Sequence, residues 1–464
     1  MKNITKKNTD KQVASDNKTV TFHVGRMVAV MSLSIILAMG CGEANIVDSG
    51  SGDWSGQGQK DDSGWLGADT FEVNAVIKST VLVDAMGDWF GVENDADLQT
   101  KLVDLQIKFI KTSAESNGWR FNQLAEKVQI NNIQNTADGV EISYEAVVDM
   151  LGSLRGSIPT LEEVRHARFE AVVPRKPMGF SSMQMNNCAE VDDGHSIRDY
   201  NFHYYFKPEQ ENCDLDLIQA QVEVTQVFDR PVAYPEYDKL MKTWDDGSVG
   251  FAAALVPNRG DNDPKSRFNA HKKALENDLG LDGELSPDNT FIRYTWKKGN
   301  ITMVIDLYDP TEVPWSTGFA AHFRAQLSNY SYVHYNGHSS YGSKELLNDP
   351  AAYSDDYQIV VIHSCQSYAY YTRQVFRAKA TAMDPSGMAN ADVVATGKSS
   401  YPGGSPPTTK VMLKSLMQGM VAIDNGRPEN APDWITIADR IKTATWGDIL
   451  YGVAGVRYNS WTAN

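Results

Sequence analysis

Residues 330–368, YSYVHYNGHSSYGSKELLNDPAAYSDDYQIVVIHSCQSY, constrain the fold more than any other stretch of the chain. Two short hydrophobic runs each end in a reactive side chain. Tyr330–Tyr335 runs into Asn336-Gly337-His338, and Tyr357–Ile362 runs into His363-Ser364-Cys365. Ligands and chemistry collect at the carboxyl ends of strands in open α/β sheets. The stretch therefore predicts two neighbouring strands with His338 and Cys365 as a catalytic dyad at their tips.

The cysteine count supports Cys365 as the reactive group. The chain of 464 residues has four cysteines, Cys41, Cys188, Cys213 and Cys365. Cys41 follows Met27–Gly40 (MVAVMSLSIILAMG), an apolar run too short to span a bilayer and preceded by Lys2, Lys6, Lys7, Lys11, Lys18 and Arg26. Leu37-Ala38-Met39-Gly40-Cys41 resembles a bacterial lipobox, which implies an exported lipoprotein with Cys41 acylated. Plain secretion is the alternative. Residues 1–40 are then a signal peptide, and the Gly-, Ser- and Asp-rich residues 41–66 form a flexible tether. In an oxidising compartment Cys188 and Cys213 make the natural disulfide, which leaves Cys365 as a free thiol. The competing reading of Cys365 is a small buried hydrophobe.

Length predicts two domains in the remainder. Residues 67–240 read as a smaller α+β domain, with strands at Thr70–Val83, Val128–Ile133, Gly139–Tyr144, Ala167–Val173, Tyr200–Phe206 and Ile218–Val227. Asn94 or Asp95 caps a helix there. His166, His195 and His203 have no metal-ligand spacing and read as structural. Asp229–Asp246 reads as a linker. Residues 241–464 then alternate buried apolar strands (Val249–Val256, Ala391–Thr396) with helices (Ser367–Lys379, Thr408–Met420, Asp433–Thr443). That rhythm predicts a mostly parallel sheet with helices on both faces. A net charge of −16 and the lack of a basic stripe exclude nucleic acid as a partner. No phosphate loop or dinucleotide fingerprint is present, so no cofactor is expected.

A hydrophobic strand ending in Gly-His, followed by one ending in Ser-Cys, resembles the caspase-like cysteine peptidases, which include gingipains, clostripain, legumain and the caspases. The resemblance spans roughly residues 245–460. It implies a caspase–haemoglobinase-like α/β fold preceded by the smaller α+β domain. It also implies an exported endopeptidase that cleaves protein or peptide substrates through a thioester. In that scheme Cys365 is the nucleophile, His338 the base, and the backbone at Gly337, Ser339 and Cys365 the source of oxyanion donors. Gly397, Lys398, Ser399 and Ser400 match the loop that often lines the specificity pocket, with Asp384 and Asp392 the acids nearest in sequence. The one departure is Ser339, where the family carries glycine. The N-terminal domain is then a prosegment or an accessory module. Two rivals remain. His334, His338, His363 and Cys365 are donors of types that zinc accepts. Alternatively, the chain is a non-catalytic surface lipoprotein with a peptidase-like binding domain.

Overall fold

Short, mostly apolar runs form strands buried on both faces, and five of them make the parallel centre of the larger sheet. The structure is a computed structural model. It describes residues 65–153, 161–191, 196–258, 264–312, 319–339, 347, 349–400, 405–445 and 450–463. The expected signal peptide, the lipidation site Cys41, nearly all of the tether, and His195 lie outside the described residues.

In chain order the strands begin with Leu66–Gly67 (β1), Thr70–Val83 (β2), Arg120–Phe121 (β3), Lys127–Thr136 (β4), Gly139–Ser153 (β5), Arg168–Pro174 (β6) and Leu217–Val227 (β7). They continue with Lys242–Thr243 (β8), Val249–Pro257 (β9), Gly283–Leu285 (β10), Phe291–Lys298 (β11), Ile301–Tyr308 (β12), Tyr332–Asn336 (β13), Gln358–His363 (β14), Ala391–Thr396 (β15) and Tyr451–Ala454 (β16). The larger sheet has the order β1-β16-β15-β14-β13-β9-β12-β11-β10, with β8 on β9. Its centre, β12-β9-β13-β14-β15, is parallel. Both flanks are antiparallel. The protein is thus α/β with a mostly parallel central sheet. Every residue of β13, β14 and β15 is buried.

Alternation along these strands sorts side chains to two helical layers. Phe251, Leu255, Tyr332, Ile359 and Val361 pack with the helices Pro264–Lys273, Ser405–Asp424 and Trp434–Ala444. Val256, Val333, Tyr335, Val360 and Ile362 pack on the opposite face with the helices Phe319–Asn329 and Ser367–Lys379. Chain order reverses direction between β9 and β13, which places a topological switch point beside the β13 tip.

The smaller sheet, β3-β5-β2-β7-β6 with β4 on β5, is antiparallel throughout. Asp95 caps its main helix by accepting from the Asp97 and Leu98 N–H groups. Cys188 and Cys213 are joined in a disulfide. The expected strand at Tyr200–Phe206 is instead a short helix, Phe202–Tyr205. The helical turn sets Phe202 and Phe206 on one side, where both rings meet Phe109. The expected linker is also structured. It contains the helix Tyr237–Leu240, and the buried Tyr237 ring packs against Gly419.

Both sheets lie in one compact unit, Gln59–Asn464. The helix Ser367–Lys379 joins them. Its Tyr368 hydroxyl donates to Glu72 at 3.0 Å, and its Ala369 carbonyl accepts from the Gln123 N–H. Asn122 donates to its Thr372 hydroxyl at 3.1 Å. Arg373 pairs with Asp149 and lies 3.7 Å from Glu126. Trp65 and Leu151 complete the apolar cover over the same helix.

Candidate active site

Strand register brings the ends of the two candidate strands to the same edge of the sheet. β13 and β14 are parallel neighbours, and their last paired residues are Asn336 and His363. His338 and Cys365 each lie two residues beyond that couple. Adjacent strands are about 4.8 Å apart, so equal offsets put the two tips side by side at the carboxyl edge, next to the switch point. His338 is exposed and Cys365 is partly exposed, so both face accessible space. Ser364 is fully buried, which excludes its hydroxyl as the nucleophile.

Each tip is held by bonds that the sequence reading did not anticipate. At the histidine tip, the Gly337 N–H donates to the His363 carbonyl at 3.1 Å. The Tyr335 hydroxyl donates to the His338 carbonyl at 2.8 Å and accepts from Asn258 at 2.9 Å. The Tyr371 hydroxyl, from the helix after Cys365, donates to the Ser339 carbonyl. Gly337 is required by close approach. A Cβ there would lie 2.5 Å from both Asn258 Cβ and the Tyr335 hydroxyl.

At the cysteine tip, Thr396 and Ser367 form a clamp. Thr396 Oγ1 donates to the Ser364 carbonyl at 2.5 Å and accepts from the Ser367 N–H at 3.2 Å. Ser367 Oγ accepts from the Thr396 N–H at 2.8 Å and donates to the Ile362 carbonyl at 2.7 Å. Gln366, between Cys365 and the helix, is left-handed with φ 49° and ψ 39°. The positive end of the 13-residue helix Ser367–Lys379 therefore begins two residues past the thiol, with Gln366 between.

The expected oxyanion donors divide. The Gly337 N–H is committed to the neighbouring strand, which removes it from that role. Among the described residues, no backbone hydrogen bond engages the N–H of Cys365 or Ser339. The expected pocket loop is beside the thiol. The Cys365 thiol donates to the Ser400 carbonyl at 3.5 Å, and the Gln366 N–H donates to the Lys398 carbonyl at 3.0 Å. Ser399 is exposed. Gly397 is buried with its N–H on the Leu450 carbonyl, so it supports the loop from beneath rather than lining a surface.

Neither acid considered for the pocket is in it. Asp392 is at the amino end of β15, buried, and accepts from Tyr357, Trp434 and Asn459. Burial pushes its carboxyl up to about 7 against those three bonds. Asp384 accepts from Ser386, Gly387 and Ala389 within its own turn.

The four donors considered for zinc do not converge. His334 and His363 face the helical layer of the Ser405 helix, on the buried side of the strands. Ser405 Oγ lies 3.2 Å from Nε2 of both His334 and His271, and Thr409 Oγ1 lies 3.0 and 3.3 Å from their Nδ1 atoms. A closed circuit in which each group donates once and accepts once satisfies all four, and it requires both imidazoles neutral. Burial accordingly lowers His271 to about 3, with His363 and Arg267 adding to the effect, and lowers His334 well below its ordinary value. His363 pairs with the Tyr451 hydroxyl. Among the described residues, no group of three or more His, Cys, Asp or Glu side chains could hold a metal ion.

Arg267, on the helix after β9, is a charged neighbour that the sequence reading missed. It is 7% exposed. Burial lowers its pKa, and the charges of Tyr335 and Cys365 act in the opposite direction. The available signal was its place just past the switch-point strand β9.

Comparison of the chain with protein-family models, with curated proteins and with solved structures finds no match.

Proposed function

We propose that the protein is an exported cysteine endopeptidase of the caspase-like type, with Cys365 as nucleophile and His338 as base. The observation that carries this reading is the equal offset of the two residues past adjacent parallel strands, at the carboxyl edge and beside the switch point. The Cys365 thiolate attacks the carbonyl carbon of the scissile peptide. The N–H groups of Cys365 and Ser339 receive the developing oxyanion. The His338 imidazolium gives its proton to the leaving amine, and the C–N bond breaks to leave a thioester. His338 then takes a proton from water, whose oxygen attacks the thioester, and the C–S bond breaks to release the acid product and restore the Cys365 thiolate beside the His338 imidazolium. The mostly parallel sheet with helices on both faces supports the caspase–haemoglobinase-like assignment. The disulfide Cys188–Cys213 supports export to an oxidising compartment, with Cys41 as the lipid anchor to the cell envelope.

The test is hydrolysis of a fluorogenic peptide mixture by the full chain. Cys365→Ala abolishes turnover, and His338→Ala lowers it by about 10²–10⁴. A thiol alkylator stops turnover and a chelator does not. Activity that survives Cys365→Ala, or that a chelator removes, overturns the reading. A chain that binds peptides without cleaving them supports the non-catalytic alternative.

A further inference from the structure

Gln366 has a backbone conformation that side-chain-bearing residues rarely take, and it adjoins the candidate nucleophile. Such a residue persists where its surroundings over-determine it, and left-handed residues of this kind cluster at functional sites. Here the surroundings are specific. Gln366 is 8% exposed. Its N–H donates to the Lys398 carbonyl at 3.0 Å, and its carbonyl accepts from the Tyr370 N–H at 3.2 Å. Its side-chain amide is held at both ends: Nε2 donates to Glu115 Oε1 at 3.2 Å, and Oε1 accepts from the Tyr370 hydroxyl at 3.3 Å.

Glu115 is 251 residues away in sequence, in the N-terminal layer. It is fixed in turn by Lys111, 3.0 Å from its carboxylate, and the Lys111 ammonium lies 4.2 Å from the centroid of the Tyr204 ring. A chain of contacts thus runs from the N-terminal layer to the residue beside the thiol. Removing Glu115 or Tyr370 would leave one end of a buried amide without its partner, which destabilises the turn it braces.

We propose that Gln366 is a positioning residue whose side-chain amide, clamped by Glu115 and Tyr370, holds the left-handed turn that sets the position of the Cys365 thiol. The N-terminal layer is then a working part of the active form and not a removable prosegment. The inference rests on the peptidase reading for its purpose, while its test reads the thiol directly.

The test is the rate at which iodoacetamide alkylates Cys365 in the full chain, with Cys365→Ala as the blank. Gln366→Ala alkylates at least about tenfold more slowly than the parent. Gln366→Gly, which takes the left-handed turn without steric cost, recovers to within about threefold. Glu115→Ala, far from the thiol along the chain, slows alkylation about fivefold. Combining Gln366→Ala with His338→Ala produces no further loss beyond the larger single effect, because both act on one arrangement. A purely structural role for Gln366 would give additive losses and no glycine rescue. Parent rates in both Gln366→Ala and Glu115→Ala, or a Gln366→Gly variant as slow as Gln366→Ala, overturn the proposal. Should the chain hydrolyse no peptide, the alkylation pattern still decides the positioning claim, and the peptidase reading falls separately.

Discussion

At the scale of single residues, the histidine tip depends on a missing methyl group. Gly337 lies against Asn258 and the Tyr335 ring, and Tyr335 anchors the His338 carbonyl. Gly337→Ala must displace that ring or the turn. It is expected to cost about 1–3 kcal/mol as an overpacking change, and to lower peptide turnover more than tenfold, measured by thermal melting and by kcat/KM. Beneath the tip, the neutral circuit of His271, His334, Ser405 and Thr409 makes stability depend on pH. Groups around it are His363, Arg267, Tyr332, Tyr451 and Asn336. Both histidines protonate more readily unfolded, near 6.5, than folded. Their contribution is therefore complete above about pH 6.5 and is lost as the pH falls below it, for His271 towards about 3. Denaturation midpoints measured from pH 7 to pH 3 check this, and His271→Gln flattens the slope.

At the scale of elements, the helix Ser367–Lys379 does two jobs: its first turn braces the thiol, and its body docks the N-terminal sheet. The Arg373–Asp149 pair at the centre of that docking is almost wholly buried. Arg373→Ala leaves an uncompensated buried carboxylate and is expected to destabilise by about 3–5 kcal/mol. Replacing the pair by Arg373→Met with Asp149→Leu recovers most of the loss, since an apolar pair of similar volume avoids the desolvation cost. Urea unfolding midpoints of the three proteins decide it. The strands of the parallel centre were legible because each is a short, mostly apolar run, and the helix after Cys365 matches its expected bounds, Ser367–Lys379. The aromatic run 200–206 misled because Tyr, Phe and His at consecutive positions fit a strand face as well as a helical turn. Only packing on Phe109 and Phe180 separates the two. The bracing residues Thr396, Tyr371, Gln366 and Glu115 carry no local signature. Apart from Tyr370 beside Gln366 and Lys111 beside Glu115, their partners lie between 29 and 251 residues away.

At the scale of the molecule, the site is an edge property of one sheet reinforced by a second. Leu66–Gly67 closes the larger sheet against β16, and the next strand, β2, opens the smaller one. The chain thus enters the C-terminal sheet before it builds the N-terminal one, an arrangement no local pattern reveals. His338, Cys365 and the loop at Lys398–Ser400 follow the carboxyl ends of three neighbouring parallel strands. The proposed catalytic unit is the pair His338 and Cys365. It is tested most directly by labelling the full chain with a peptidyl chloromethyl ketone and locating the adduct by mass spectrometry. The expected adduct is on Cys365 and forms about 10² or more times faster than in His338→Ala. Equal labelling rates with and without the imidazole, or an adduct on any other residue, would contradict it.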